Sequence, residues 1–224
     1  MAKEEILTFH QKQFLDFASG EEYIYKNFYL TGGTALAAFY LNHRLSEDLD
    51  FFVENEEVNI QVLNRIIGKF KAGVEVAKIK QRSTFGIHNF FFHFPDKEVL
   101  KVDFSYYPFP AIAKGARFKN IIIIDSAYDI AVNKIHTISI QPRARDFIDL
   151  YFLIKEKGYS LGDLLMKAKA KFDWHIDPLQ LGTQLLKAKE VKDFPRMLKQ
   201  INHRDWQEFF LKEAKTLGKE VFDE

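Results

Sequence analysis

Asp48 and Asp50 flank Leu49, and Leu49, Phe51 and Val53 alternate with the two acids. On a strand this spacing puts both carboxylates on one face and the apolar set on the other. A third acid, Asp103, lies in Lys101-Val102-Asp103-Phe104-Ser105, where Val102 and Phe104 are the inward pair. If the two strands pair, three carboxylates gather, and they repel one another unless a cation sits between them. Magnesium suits such a site because it takes a few carboxylates together with phosphate oxygens and water. Two ions about 3.5–4 Å apart could activate an attacking hydroxyl and hold a leaving pyrophosphate. Gly32 and Gly33 precede the acids, and a helix opens at Thr34. Its free N–H groups point at the glycine turn and suit a phosphate. Alone, the acids could be surface aspartates on a solvated strand end, and the glycines a tight turn. Their order on strand, turn, helix and strand is what points to metal-assisted chemistry on a nucleotide.

These residues need a scaffold, and apolar spacing supplies one. It predicts an amphipathic helix over 3–18 with Ile6, Leu7, Phe14 and Phe17 on one side, a buried strand over 27–31 and a helix from 34 to about 42. A strand from Asp48, a helix over 59–70, and strands over 74–79, 85–94, 99–106 and 121–124 follow. Pro95-Asp96-Lys97 serves as a hairpin turn. After Asp125 the pattern turns helical. Ser126 caps a helix to 138, and further helices are expected over 143–155, 160–171, 178–190, 193–201 and 203–217. The expectation is a mixed-sheet α/β domain over 1–124 and an all-helical domain over 125–224.

Leu30-Thr31-Gly32-Gly33 followed by Asp48-Leu49-Asp50 resembles the signature of the nucleotidyltransferase superfamily that includes DNA polymerase beta. Asp103 falls where that superfamily's third metal-coordinating acid is expected. The run from Gly32 to Phe52 is similar to the AbiEii/AbiGii-type nucleotidyltransferases, including the MenT-like toxins. Lys134 and Arg145-Asp146-Phe147-Ile148-Asp149-Leu150-Tyr151 resemble that family's later lysine and its Arg-Asp-x-x-Asp-Leu element. The motifs span roughly residues 30–151. The resemblance implies the nucleotidyltransferase fold and transfer of a nucleoside monophosphate from a nucleoside triphosphate, in some members onto the 3′ end of tRNA. It also implies a magnesium or manganese ion on Asp48, Asp50 and Asp103, and a cognate antitoxin.

The second motif also has a physical reading. Asp146 and Asp149 share a helix face. Lys134 is a plausible triphosphate ligand, since an ammonium serves phosphate as a point charge. Asp146 could orient that lysine or touch base or ribose. The same residues could instead form interhelical salt bridges. Ser46 could bind phosphate or be a turn residue. Arg44 could contact phosphate or Asp48, or be a solvated surface charge. The candidate nucleotide-binding set is thus Gly32, Gly33, Thr34, Arg44, Ser46 and Lys134, and the catalytic set Asp48, Asp50, Asp103, Lys134 and Asp146.

Composition narrows the classes. The chain has 224 residues, 47% hydrophobic and 28% charged, with 23 phenylalanines, and so supports a large aromatic core. Without cysteine there is no disulfide, thiolate zinc site or thiol nucleophile, and a reducing cytoplasm is expected. No apolar h-region opens the sequence, so no signal peptide is expected, and no run approaches a membrane span. Net charge is +1, so any RNA-binding surface must be a local patch. The basic runs 78–82 and 114–119 are candidates for one, whereas 167–171 reads as the wet side of a helix. His88 and His93 face opposite ways on one strand, and no histidine pair has zinc spacing. Two other functions compete. A glycosyltransferase using a nucleotide-sugar explains the acids without requiring the glycine turn. A catalytically silent nucleotidyltransferase-fold module would bind a protein or RNA partner.

Overall fold

The computed structural model describes residues 6–173 and 177–222. The chain divides into two compact units, Met1–Tyr40 with Ser46–Ser126, and Leu41–Leu45 with Ala127–Glu224. No helix among the described residues is long and apolar enough to cross a membrane.

The first unit is built on a mixed seven-stranded sheet. Its strands are β1 (Tyr29–Thr31), β2 (Asp48–Val53), β3 (Lys78–Thr84), β4 (Ile87–His93), β5 (Val99–Tyr106), β6 (Arg117–Phe118) and β7 (Ile122–Ile124). They lie in the order β3-β4-β5-β2-β1-β7-β6, with β2–β5 and β1–β7 parallel and the other pairs antiparallel. The unit's helices are α1 (Phe9–Ala18), α2 (Glu22–Asn27), α3 (Gly32–Leu36) and α4 (Ile60–Gly73). Phe14 of α1 and Phe70 of α4 meet at 5.0 Å and pack on Phe92 of β4, and Phe51 stacks on Phe104 at 5.2 Å. These rings fill one sheet face with apolar surface, and the other face is left for polar side chains.

Several elements differ from expectation. The 3–18 helix begins at Phe9, and residues 3–5 of that expectation lie outside the described residues. Thr8 sets the start with a capping box. Its hydroxyl accepts from the Gln11 amide at 3.2 Å, and the Gln11 side chain accepts from the Thr8 amide at 2.9 Å. The 74–79 strand shifts to β3 because Phe85 and Gly86, at φ 48° and 77°, form a two-residue turn that fixes Thr84 opposite Ile87. α2 and the short β6 were not anticipated. The helix after Gly33 widens into a π-helical segment, Ala37–Leu41.

The second unit holds α5 (Ala127–Ile140), α6 (Ala144–Lys157), α7 (Leu161–Phe172), α8 (Pro178–Leu186) and α9 (His203–Phe222). Phe147 stacks on Trp206 at 5.8 Å and touches Phe210 at 4.9 Å in its core. The helix expected over 193–201 does not form. Pro195 disfavours helical backbone at Phe194 and removes a donor. The segment runs extended instead, with Met197 bridged to Arg44, the Leu45 amide on the Arg196 carbonyl, and the His43 carbonyl accepting from Leu198. The Asp193 carboxylate accepts from the Ala144 amide at 2.8 Å, at the start of α6. The 167–171 run is also not uniformly wet, because the Lys171 side chain is only 3% exposed and is ion-paired with buried Asp129 at 2.9 Å.

Candidate active site

Register gathers the acids. Asp50 lies opposite Asp103 in the parallel β2–β5 pair, and Asp48 lies opposite Lys101. Paired residues point to the same sheet face, and so do residues two apart on a strand. Asp48, Asp50, Lys101 and Asp103 therefore share the face that the aromatic core leaves open. Next along the row, Asn89 lies opposite Asp103 and donates to its Oδ1 at 2.7 Å.

The glycine turn is joined to this row physically. Gly32 has φ +75°, and a Cβ there would stand 2.2 Å from Asp50 Oδ2. The Thr34 hydroxyl donates to the backbone carbonyl of Asp48, tying α3 to the start of β2. Thr31 donates to the Asp125 carboxylate at 2.7 Å, and the Asp125 amide donates to the Leu30 carbonyl at 2.8 Å, which fixes β1 against the end of β7. The Gly-Gly and Asp-x-Asp elements are thus one construction, because the carboxylate of Asp50 fills the space that a side chain at 32 would need.

Sequence reasoning gave Lys101 no role. Its ammonium lies between carboxylates, 2.6 Å from Asp103 Oδ2 and 3.1 Å from Asp48 Oδ2. Burial pulls its pKa down, but hydrogen bonds and charge from Asp103 and Asp48 outweigh this and hold it above the ordinary lysine value. The signal was available in the Lys-x-Asp alternation on β5.

The donor set is all carboxylate oxygen, which fits a hard divalent cation. Asp48 and Asp50 are the residues that would hold such an ion. Among the described residues, no group of three or more histidine, aspartate or glutamate side chains converges to hold a metal ion. Asp103 is engaged by Lys101 and Asn89.

Arg44, Lys134 and Asp146 lie in the second unit's buried cluster. Asp149 is fully buried. Its Oδ1 accepts from Arg44 Nε at 2.6 Å and His43 Nε2 at 2.8 Å, and its Oδ2 from Arg44 Nη2 at 2.8 Å. Lys134 Nζ lies 2.9 Å from Asp149 Oδ2 and 2.6 Å from Asp146 Oδ1. Arg143 Nε donates to Asp146 Oδ2 at 2.9 Å. Burial alone would raise both carboxyl pKa values. For Asp149 the charges of Arg44 and Lys134 prevail and hold it well below the usual range, and for Asp146 those of Lys134 and Arg143 prevail. Burial pushes the His43 pKa down despite the neighbouring Asp149 carboxylate, which its Nε2 meets at 2.8 Å.

Arg44 is not a solvated surface charge: its guanidinium, 3% exposed, grips Asp149 with two bonds. Lys134 of α5 and Asp146 of α6 form an interhelical ion pair, a contact that fits both a structural role and a lysine oriented by Asp146. Ser46 is half-buried, and its carbonyl accepts from the Gln11 side chain at 2.8 Å.

Gly32→Ala tests the joint between turn and acid. The new Cβ strains left-handed backbone by about 1–2 kcal/mol and collides with the Asp50 carboxylate. Displacing a reacting group by about 1 Å can cost about 10²-fold in rate. The expected result is a loss of transfer of about that size with a denaturation midpoint only modestly lowered. Retained activity would show that Asp50 does not depend on the turn.

Relatives and family agree with this geometry. An uncharacterized protein of Aquifex aeolicus strain VF5, aq_aa25, is 30% identical over 151 residues, 66% of this chain and 68% of that one. The crystal structure of JHP933 from Helicobacter pylori superposes with a TM-score of 0.58 at 22% identity, covering 96% of this chain and 92% of that one, and so shares the fold. The family model described as nucleotidyl transferase AbiEii toxin, type IV TA system, matches residues 24–223. That match takes in the glycine turn, all three sheet carboxylates and the whole buried cluster, and it favours nucleotidyl transfer over sugar transfer and over a silent module. The chain belongs to the AbiEii nucleotidyl transferase toxin family and is a nucleotidyltransferase.

Proposed function

We propose that the chain moves a nucleoside monophosphate from a nucleoside triphosphate onto the 3′ end of an RNA of the tRNA class, acting as the toxin of a type IV toxin–antitoxin pair with a cognate antitoxin. The observation that carries this reading is the sheet face shared by Asp48, Asp50 and Asp103 beside the Gly32 turn. Phosphate rests on the Gly33 and Thr34 amides at the opening of α3, with the Ser46 hydroxyl as a further donor. Asp48 and Asp50 would hold a magnesium or manganese ion, which would supply charge neutralisation at the transferring phosphoryl group. The acceptor oxygen attacks the α-phosphorus, and the bond from that phosphorus to the bridging oxygen of the β-phosphate breaks. Pyrophosphate leaves, and Asp103 receives the acceptor's proton. Lys134 is assigned to the triphosphate, with Asp146 orienting its ammonium.

An RNA acceptor is supported by the sheet edge. Lys80 and Arg82 of β3 lie opposite Phe91 and Asn89, which lie opposite Lys101 and Asp103. Lys78, Lys80 and Arg82 are exposed on the same face as the acids. Edge lysines also discourage strand-to-strand aggregation, so the two roles need separating. Reversing charge with Lys80→Glu and Arg82→Glu together should raise the KM for RNA about tenfold and flatten its salt dependence. The KM for nucleotide should stay put. An unchanged KM for RNA would remove this edge from the acceptor path.

A further inference from the structure

Lys101 occupies the position in this site where a cation would otherwise bridge two of the acids. Its neighbours are fixed by the fold. Asp48 is its cross-strand partner, Asp103 lies two residues along the same strand, and Asn89 holds the second oxygen of Asp103. The ammonium reaches Asp103 Oδ2 at 2.6 Å and Asp48 Oδ2 at 3.1 Å, which places it between the third carboxylate and the Asp48–Asp50 pair. A divalent ion bridging the same two oxygens would need the space that the ammonium fills. Three carboxylates carry more negative charge than one divalent ion neutralises, and an added ammonium closes that gap. No set of three acids converges on a common point among the described residues, as expected when one of the three is turned to a side-chain cation instead.

We propose that Lys101 is a built-in cation that replaces one of the two divalent ions a three-carboxylate site would call for, so that the chain engages its nucleotide with a single divalent ion on Asp48 and Asp50. This rests on the reading of those two residues as the metal ligands. Lys101 is then a positioning residue. It holds Asp103 in place and compensates its charge without touching the transferred group. An ammonium is a compact point charge with three donors, and so it can bridge two carboxylates as a small metal ion does.

The test counts ions rather than turnover. Manganese would be titrated into the purified chain and the free ion followed by electron paramagnetic resonance. This would be done with and without α,β-non-hydrolysable analogues of each of the four common nucleoside triphosphates. The native chain should bind one ion per chain in the protein–nucleotide complex, Lys101→Met two, and Lys101→Arg, which keeps the charge, one. Manganese should also raise the thermal midpoint of Lys101→Met more than that of the native chain. If Lys101→Met folds poorly, the Lys101→Gln variant gives the same count. Two ions on the native chain, or one on both neutral variants, would overturn the proposal while leaving nucleotidyl transfer at Asp48 and Asp50 intact. No manganese on the native chain, with Asp48→Asn identical to it, would overturn the metal reading and this proposal together.

Discussion

Asp48→Asn is expected to lower the rate of nucleotidyl transfer by about 10²–10³-fold, the scale on which removal of one group stabilising transition-state charge acts. The loss should fall mainly on kcat, since the ion that the carboxylate would hold acts chiefly on charge that develops during reaction. The fold should barely respond. Asparagine is isosteric, the Asp48 side chain is 35% exposed, and its ion pair with Lys101 is partly solvated. What ties α3 to β2 here is the Thr34 hydroxyl on the backbone carbonyl of Asp48, which the substitution leaves in place. Initial rates beside a thermal melt separate the two effects. A variant with unchanged melting and full activity would mean that the carboxylate has no part in the chemistry.

Asp149→Ala is expected to act the other way, through stability. Asp149 is completely buried and answers Arg44, Lys134 and His43 at once. Removing it leaves the Arg44 guanidinium buried without its bidentate partner, and breaking a buried pair in this way costs about 3–5 kcal/mol. A typical native protein has about 5–15 kcal/mol in total, so the second unit should lose much of its margin. Denaturant midpoints would measure the loss. Because the folded carboxyl is held well below its unfolded pKa, its contribution is full above about pH 4 and is lost as pH falls through the folded value. A midpoint within about 1 kcal/mol of native, the size of an ordinary surface pair, would contradict the account of this cluster.

What could be read from the chain follows physical range. The alternation in β2 and β5 was legible because period two is local, and β5 runs over the expected 99–106. The outward placing of Asp103 followed from Val102 and Phe104 alone. The reason position 32 needs glycine was not legible, since it depends on the Asp50 carboxylate 18 positions along the chain and across a strand pair. The bidentate Arg44–Asp149 pair was not legible, because the two partners lie 105 residues apart. The helix expected over 193–201 gives way at Pro195, whose ring and missing donor disfavour it. The bridging role of Lys101 was not legible, because only the β2–β5 register shows which carboxylate oxygens its ammonium meets. The capping box of Thr8 and Gln11, by contrast, was readable and would have placed the start of α1.

The central claim is nucleotidyl transfer at the Asp48, Asp50 and Asp103 face. The most direct measurement is to incubate the purified chain with a divalent ion, each α-labelled nucleoside triphosphate in turn and total cellular RNA, with Asp48→Asn as control. The account predicts label in a tRNA-sized band with the native chain only, together with release of pyrophosphate. Label on protein instead of RNA would keep the chemistry and change the acceptor. No transfer from any of the nucleotides, or equal transfer by Asp48→Asn, would contradict the claim.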